Sequence, residues 1–110
     1  MASITPSAAW AIRSTPWGAP QSVEKLTSGV YSVTTASHGG IYCDPIANAT
    51  IPADWRRASW SGRGMTGWYE EDADWSMVAL TFPEAFKPSD LLAARRTFDA
   101  WIAPKLTVAA

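Results

Sequence analysis

The segment from Gly67 to Pro83, GWYEEDADWSMVALTFP, joins the densest acidic cluster of the chain to its most strand-like run. From Trp75 to Phe82 both alternating sets of side chains are largely apolar, a pattern typical of a strand covered on two faces. Pro83 cannot donate a hydrogen bond to a β-ladder and therefore ends that strand. We expect the run from Trp75 to Phe82 to be a central strand, with the residues before it at the border of the sheet.

Size and composition indicate one folded domain over residues 1–110, with residues 1–8 as a loose, small and polar terminus. The chain is 47% hydrophobic and 17% charged and has seven tryptophans, which is too apolar for a disordered protein. Its formal net charge of −1 argues against a protein that binds nucleic acid through the phosphates.

Cysteine usage and hydropathy restrict the compartment and the cofactors. Cys43 is the only cysteine, so the chain forms no internal disulfide and no zinc site of thiolates. No window approaches the ~18 consecutive apolar residues of a membrane span, and the first residues lack the pattern of a secretion signal. The Gly62-Arg63-Gly64 segment matches neither a P-loop nor a dinucleotide fingerprint. We therefore expect a cytoplasmic protein with no cofactor and no membrane contact.

The first half of the chain predicts a hairpin and further elements before it. Residues 30–35 are rich in β-branched and aromatic types, and Ile41 to Cys43 continue that pattern, so the two runs predict a hairpin. The intervening Gly39 and Gly40 are interpreted as turn residues with positive φ. Trp10 to Arg13 is a further strand candidate, and Ser22 to Leu26 is either a helical turn or a lead-in.

The second half of the chain predicts a long connection followed by a helix. Residues 46–66 read as a surface loop with one helical turn near Ala53 to Ala58. Ser89 is the expected N-cap of an amphipathic helix that Pro104 ends. Its apolar side is formed by Leu91, Ala94, Phe98, Trp101 and Ile102. The whole pattern predicts an α+β fold, a small and mostly antiparallel sheet packed against one C-terminal amphipathic helix.

An acidic cluster is the first candidate for a functional site. Four of the five residues from 70 to 74 are acidic: Glu70, Glu71, Asp72 and Asp74. A calcium loop is disfavoured by the spacing, while paired acids for hydrolysis and a charged rim for a basic protein surface both remain open. A solvated segment paired with Arg56, Arg57 or Arg63 is the alternative without function.

His38 is the only histidine and lies in a Ser-His-Gly-Gly turn. Our hypothesis is that it contacts Glu70, Glu71 or Asp72, as a base with an orienting acid or as a metal ligand. The alternative is a polar turn residue bonded to its own loop. A catalytic pair with Cys43 as nucleophile and His38 as its base is disfavoured. The sequence indicates no third group to orient the pair, and a cysteine is more commonly a buried, unreactive residue.

Short motifs that carry a family resemblance are spread over positions 17–86. They are Trp17-Gly18, residues 29–33, Thr35 to Gly40, Pro52, Trp68 to Asp72, Trp75, Phe82-Pro83 and Phe86. On these motifs the chain resembles a family of short proteins of unknown function encoded on proteobacterial plasmids and phages. The resemblance implies a mobile-element protein and, by analogy with other small proteins of such elements, an anti-CRISPR-like factor that occupies a surface of a host complex.

The leading hypothesis is a cytoplasmic mobile-element protein that binds and inhibits a host defence protein complex, for example a CRISPR effector. The predicted binding residues are His38, Arg56, Arg57, Trp68, Tyr69, Glu70, Glu71, Asp72 and Asp74. The alternative is a small metal-dependent or acid–base hydrolase that uses His38 with Glu70 or Asp72. A second copy of the chain is a further candidate partner, because seven tryptophans exceed what one small core needs.

Overall fold

A four-stranded antiparallel sheet, in the order β1-β2-β3-β4, forms the centre of the fold. The computed structural model describes residues 12, 15–59 and 66–109, the last three by their backbone only. The sheet and the helices packed on it confirm the α+β class. The strand expected at residues 10–13, apart from Ile12, and the terminus expected at residues 1–8 lie outside the described residues.

The strands follow one another along the chain and pair in that order. Their bounds are β1 (Pro20–Thr27), β2 (Val30–Thr35), β3 (Gly39–Cys43) and β4 (Trp68–Glu70). The predicted hairpin is confirmed as β2 and β3, in which Tyr31 faces Tyr42 and Val33 faces Gly40. Residues 22–26 lie within strand β1, where the sequence left a helical turn and a lead-in as alternative predictions. Among the described strands, β1 and β4 are the two edges of the sheet.

Several short helices connect and cover these strands. Their bounds are α1 (Pro45–Thr50), α2 (Ala53–Ala58), α3 (Trp75–Thr81), a 3₁₀ turn (Pro83–Ala85), α4 (Pro88–Thr97), a π-helix (Phe98–Ile102) and α5 (Ala103–Ala109). The connection expected between β3 and the acidic cluster therefore begins with two helices, of which α2 matches the expected helical turn.

The prediction of a central strand from Trp75 to Phe82 is wrong, because Trp75–Thr81 forms helix α3. A helix buried on most sides is apolar in both alternating sets, so periodicity alone does not separate it from a doubly covered strand. The preceding turn decides between them: its backbone N–H groups converge on the carboxylate of Glu70, as at the start of a helix. Helix α3 then buries Ser76, Met77, Val78 and Ala79.

The C-terminal helix begins earlier and continues further than the sequence predicts. Its N-cap is Lys87 rather than Ser89, with Pro88 at the first position, where a missing N–H costs nothing. Pro104 does not end it, because the preceding π-helix widens the turn that the proline ring would otherwise crowd. The extra residue of that turn also shifts the register, and Trp101, expected on the apolar side, is 65% exposed.

The sheet has a core on each face. The larger core lies under the helices and combines sheet residues such as Ile41 and Tyr69 with Met77, Phe98 and Ile102. The smaller core lies on the other face: Ile12, Tyr31 and Val33 are buried there, with Val23, Tyr42 and Trp68 packed around them. Because both faces are covered, the accessible parts of the sheet are its ends and edges.

Candidate functional site

The turn between β2 and β3 brings His38 to the end of edge strand β4. This turn is held by Thr35, whose backbone N–H and hydroxyl both donate to the carbonyl of His38 at 2.8 Å. The N–H of Glu71, the first residue after β4, donates to the carbonyl of Gly39 at 3.1 Å. These backbone contacts place the side chains of His38 and Glu71 at the same corner of the sheet.

His38 and Glu71 form an exposed pair at this corner. Nδ1 of His38 lies 3.6 Å from Oε2 of Glu71, and the two side chains are 44% and 51% exposed. Nδ1 also lies 3.0 Å from the carbonyl oxygen of Ser37. The structure thus brings His38 against one of the three carboxylates named by the hypothesis and also bonds it to its own loop. An exposed pair of this kind adds little to stability.

The interpretation of Gly39 and Gly40 as positive-φ turn residues is wrong. Both lie in strand β3, and neither is among the described glycines with positive φ. A Cβ on Gly40 would lie 2.4 Å from the ring of Trp17 and 2.4 Å from the backbone oxygen of Tyr69. Gly40 is therefore needed because two groups approach it closely, which only a residue without a side chain permits.

Trp17 is the residue of this corner that sequence reasoning missed. Its ring lies 6.4 Å from the imidazole of His38 and meets the ring of Trp68 edge-on at 5.6 Å. The available signal was a glycine inside a strand, which often marks a close approach by another group. We call the surface formed by Trp17, His38, Trp68, Glu71 and Asp72 the rim.

The acidic cluster divides into two exposed and two inward-facing residues. Glu71 and Asp72 are exposed. The carboxylate of Glu70 accepts hydrogen bonds from the N–H groups of Asp72, Ala73 and Asp74, at 3.0, 2.8 and 3.1 Å. Asp74 is 2% exposed. Of these four predicted binding residues, the structure leaves Glu71 and Asp72 exposed, whereas Glu70 is bonded to the turn and Asp74 is buried.

The pKa of Glu70 is lowered from its ordinary value of 4.5. Desolvation by partial burial is the largest influence and raises the pKa, but the three backbone N–H donors and a side-chain hydrogen bond with Asp72 together outweigh it. The charged carboxylate therefore closes the turn before α3, where the positive end of the helix dipole also favours it. Glu70 thus has a structural role in this turn, and the carboxylate that lies beside His38 is that of Glu71.

Replacing Glu70 by glutamine is expected to lower the free energy of unfolding by about 1–2 kcal/mol at neutral pH, as for the loss of a helix cap. Because its folded pKa is depressed, the contribution of Glu70 is present above the unfolded pKa and is lost as the pH falls through the folded value. Urea denaturation of both proteins at neutral pH and at about pH 3 measures this, and the difference between them should shrink in acid.

Glu84, an exposed residue of the 3₁₀ turn, supplies the control. Glu84→Gln should change the free energy of unfolding by no more than about 0.5 kcal/mol at either pH. A Glu70→Gln protein that is as stable as the natural one at neutral pH would contradict the capping role.

The aromatic residues before the acidic cluster point to opposite faces of the sheet. Tyr69 is fully buried in the larger core, and its hydroxyl donates to Oδ1 of Asn48. The structure thus places Tyr69, one of the predicted binding residues, entirely in the interior. Trp68 is half-buried on the other face, where its ring lies between Trp17 and Tyr42, 4.8 Å from the latter.

The arginines predicted to join this surface lie in helix α2. Arg57 is exposed, whereas Arg56 is half-buried and donates from Nε to the carbonyl of Ile51 at 3.0 Å. Arg56 lines a cavity beside Cys43, at the end of β3 opposite to Gly39. Four residues of strand separate these ends by roughly 13 Å. The structure therefore separates Arg56 from the rim, and Arg63 lies outside the described residues.

Cys43 is not an activated nucleophile. It is buried, and its pKa is raised to about 12, first by burial and then by the nearby charge of Asp44. Such a thiol is inert at neutral pH. Among the described residues there is no group of three or more histidine, cysteine, aspartate or glutamate side chains placed to hold a metal ion. None of the helices in the described part of the chain is long and apolar enough to cross a membrane.

The fold and the rim define a small α+β domain with a charged, aromatic corner. The chain belongs to a family of uncharacterised domains, whose model, Domain of unknown function (DUF7007), matches residues 11–107. This confirms the expected membership in a family without an assigned function. Comparisons with curated proteins and with solved structures gave no match.

Proposed function

We propose that this protein is a binding protein that attaches to a host defence complex through the rim and inhibits it by occupying one of its surfaces. The observation that carries the proposal is the corner at which exposed Glu71 lies 3.6 Å from exposed His38, beside Trp17 and Trp68. A negative patch of this kind complements a basic protein surface and steers the encounter with it.

The aromatic rings support binding because they supply contact area at small entropic cost. Trp68 is fixed between Trp17 and Tyr42 and is still partly exposed. Interfaces of moderate size depend on a few such aromatic anchors surrounded by polar groups. The rim has both parts within one corner, and Glu70 holds the turn that presents Glu71 and Asp72.

The biological setting belongs to the same proposal. The motif resemblance supports a phage or plasmid protein that acts in the cytoplasm of a bacterial host, and analogy with other small mobile-element proteins supports an anti-CRISPR-like role. The partner in this proposal is a protein complex, with a CRISPR effector as the first candidate.

The experiment reverses the exposed charges of the rim. Glu71→Lys with Asp72→Lys should weaken capture of the host complex at least about a hundredfold, because like charges facing each other cost several kcal/mol. The matched control is Glu24→Lys with Glu84→Lys, which changes the net charge equally at exposed positions outside the rim. Captured complexes are identified by mass spectrometry, and phage plaque counts on a host with active defence measure inhibition.

The natural protein and the control should capture the complex and raise the plaque count, and the rim variant should do neither at a similar melting temperature. Equal capture by the rim variant would reject the rim as the binding surface. If the natural protein captures no defence complex and leaves plaque counts unchanged, the function itself is rejected.

A second candidate function, acid–base hydrolysis, is favoured by the same contact between His38 and Glu71. In this version Glu71 rather than Glu70 orients the imidazole. The test is the variant His38→Gln. Loss of the hydrolysis of simple esters in this variant, with its capture of the host complex unchanged, would favour the hydrolase function over the binding proposal.

A further inference from the structure

A cavity of about 260 Å³ lies at the Cys43 end of β3, beside helices α1 and α2. Its described lining includes Tyr42, Pro45, Asn48, Ala49, Arg56 and Thr66. It is smaller than the roughly 300–1,000 Å³ of sites for drug-sized ligands, so it suits a compact molecule. It lies at the opposite end of β3 from the rim, and its role is independent of the function proposed above.

Arg56 is the only charged side chain among the described lining residues. Its Nε donates to the carbonyl of Ile51 at 3.0 Å, which fixes the plane of the guanidinium. Within the described part of the chain, its terminal Nη groups have no hydrogen-bond or ion-pair partner. A guanidinium held in this way offers a preorganised pair of donors for the two oxygens of an anion.

Asn48 supplies a second donor to the same cavity. Its side chain is 7% exposed, and its Oδ1 accepts the hydroxyl of Tyr69. The amide nitrogen Nδ2 has no hydrogen-bond partner within residues 12, 15–59 and 66–109. Because the hydroxyl of Tyr69 already bonds to Oδ1, the group of Asn48 that remains for a ligand is the N–H donor Nδ2.

The rest of the lining completes a site for an anion with an apolar body. The pKa of Tyr42 is raised above 10.0, first by burial and then by the charge of Asp44, so its phenol is protonated at neutral pH. Pro45 and Ala49 add apolar surface. None of the described lining residues is itself a carboxylate, and the negative charge that acts on the lining is that of Asp44, next to Cys43.

We propose that this cavity binds a small organic carboxylate, with Arg56 and Asn48 donating to its oxygens and Pro45 and Ala49 packing against its apolar part. A carboxylate matches the single guanidinium in charge and in planar geometry. A bare inorganic anion would leave the apolar wall unused, and a neutral ligand would leave the guanidinium without its counter-charge.

The test is a titration of the full chain followed by amide NMR, with benzoate as the probe. Benzoate should shift the amides of Asn48, Ala49 and Arg56 saturably, with a millimolar dissociation constant appropriate to so small a ligand. Benzamide, of the same shape without the charge, and inorganic phosphate, with charge but no apolar body, should each bind at least about tenfold more weakly.

Three variants separate the cavity from general charge effects. Arg56→Gln should weaken benzoate binding at least about tenfold, whereas Arg57→Gln, which removes the same charge from the neighbouring exposed position, should change it less than about twofold. Arg56→Lys keeps the charge but loses the planar guanidinium, so benzoate binding should be weakened to an intermediate degree. This second variant keeps the test valid if Arg56→Gln does not fold.

Any of four results would overturn the proposal. These are the absence of a saturable shift with benzoate, equal binding of benzamide, tighter binding of phosphate than of benzoate, and equal losses in Arg56→Gln and Arg57→Gln. None of them bears on the capture of a host complex by the rim.

Discussion

Replacing Tyr69 by alanine is expected to lower the free energy of unfolding by about 3–5 kcal/mol, the usual cost of removing a large buried aromatic ring. Tyr69 is fully buried between strand β3 and helix α3, where it belongs to the larger core with Ile41 and Met77. Its removal leaves a cavity that the surrounding helices can fill only in part. Urea denaturation, followed by far-UV circular dichroism, gives the change.

Tyr69→Phe separates the ring from its hydroxyl. This variant keeps the packing but leaves Oδ1 of Asn48 without its donor, which should cost about 1–3 kcal/mol. Trp101→Ala is the control, because Trp101 is a large aromatic residue that is 65% exposed, and its removal should cost much less. If Tyr69→Ala costs no more than Trp101→Ala, Tyr69 is not a core residue, and its role in binding has to be reconsidered.

The second large effect is expected at Gly40, where valine should lower the free energy of unfolding by about 3 kcal/mol. Its Cβ would meet the ring of Trp17 and the backbone oxygen of Tyr69, each at 2.4 Å. The ring can move away, but the backbone oxygen belongs to the paired strand β4 and cannot move without breaking the sheet. The loss is measured by urea denaturation, and displacement of Trp17 by near-UV circular dichroism.

Gly39→Ala provides the graded comparison for Gly40. A Cβ on Gly39 would lie 3.1 Å from the oxygen of Val33 and 3.2 Å from Oε1 of Glu71, which requires smaller shifts. It should therefore cost less than Gly40→Val. Equal stability of Gly40→Val and the natural protein would show that Trp17 does not lie against this strand, and the rim would then lose one of its aromatic members.

The hairpin shows where sequence reasoning succeeds. The β-branched run at Val30 to Thr35 and the return at Ile41 to Cys43 are local patterns, and each strand needs only its neighbour in the chain to pair. The run from Trp75 to Phe82 shows where it fails, because a buried helix and a doubly covered strand have the same composition. The capping by Glu70 that distinguishes them uses hydrogen bonds that no hydrophobic pattern displays.

The acidic cluster shows the same limit at the site. Its four carboxylates are nearly consecutive and look equivalent in the sequence. In the structure Glu70 closes a turn, Asp74 is buried, and Glu71 and Asp72 face solvent. The difference arises because β4 ends at Glu70 and the chain turns into α3, so that successive residues point in different directions.

Local sequence patterns were sufficient to predict the α+β class, the β2–β3 hairpin and the presence of a C-terminal helix, because these depend on residue preferences over short segments. The packed fold was needed to show that Trp17 lies against Gly40, that Glu71 lies beside His38, and that Arg56 lines a cavity away from the rim. These contacts join residues that are distant in the chain, and they are selected by the packing of the whole sheet and its helices, which no local pattern records.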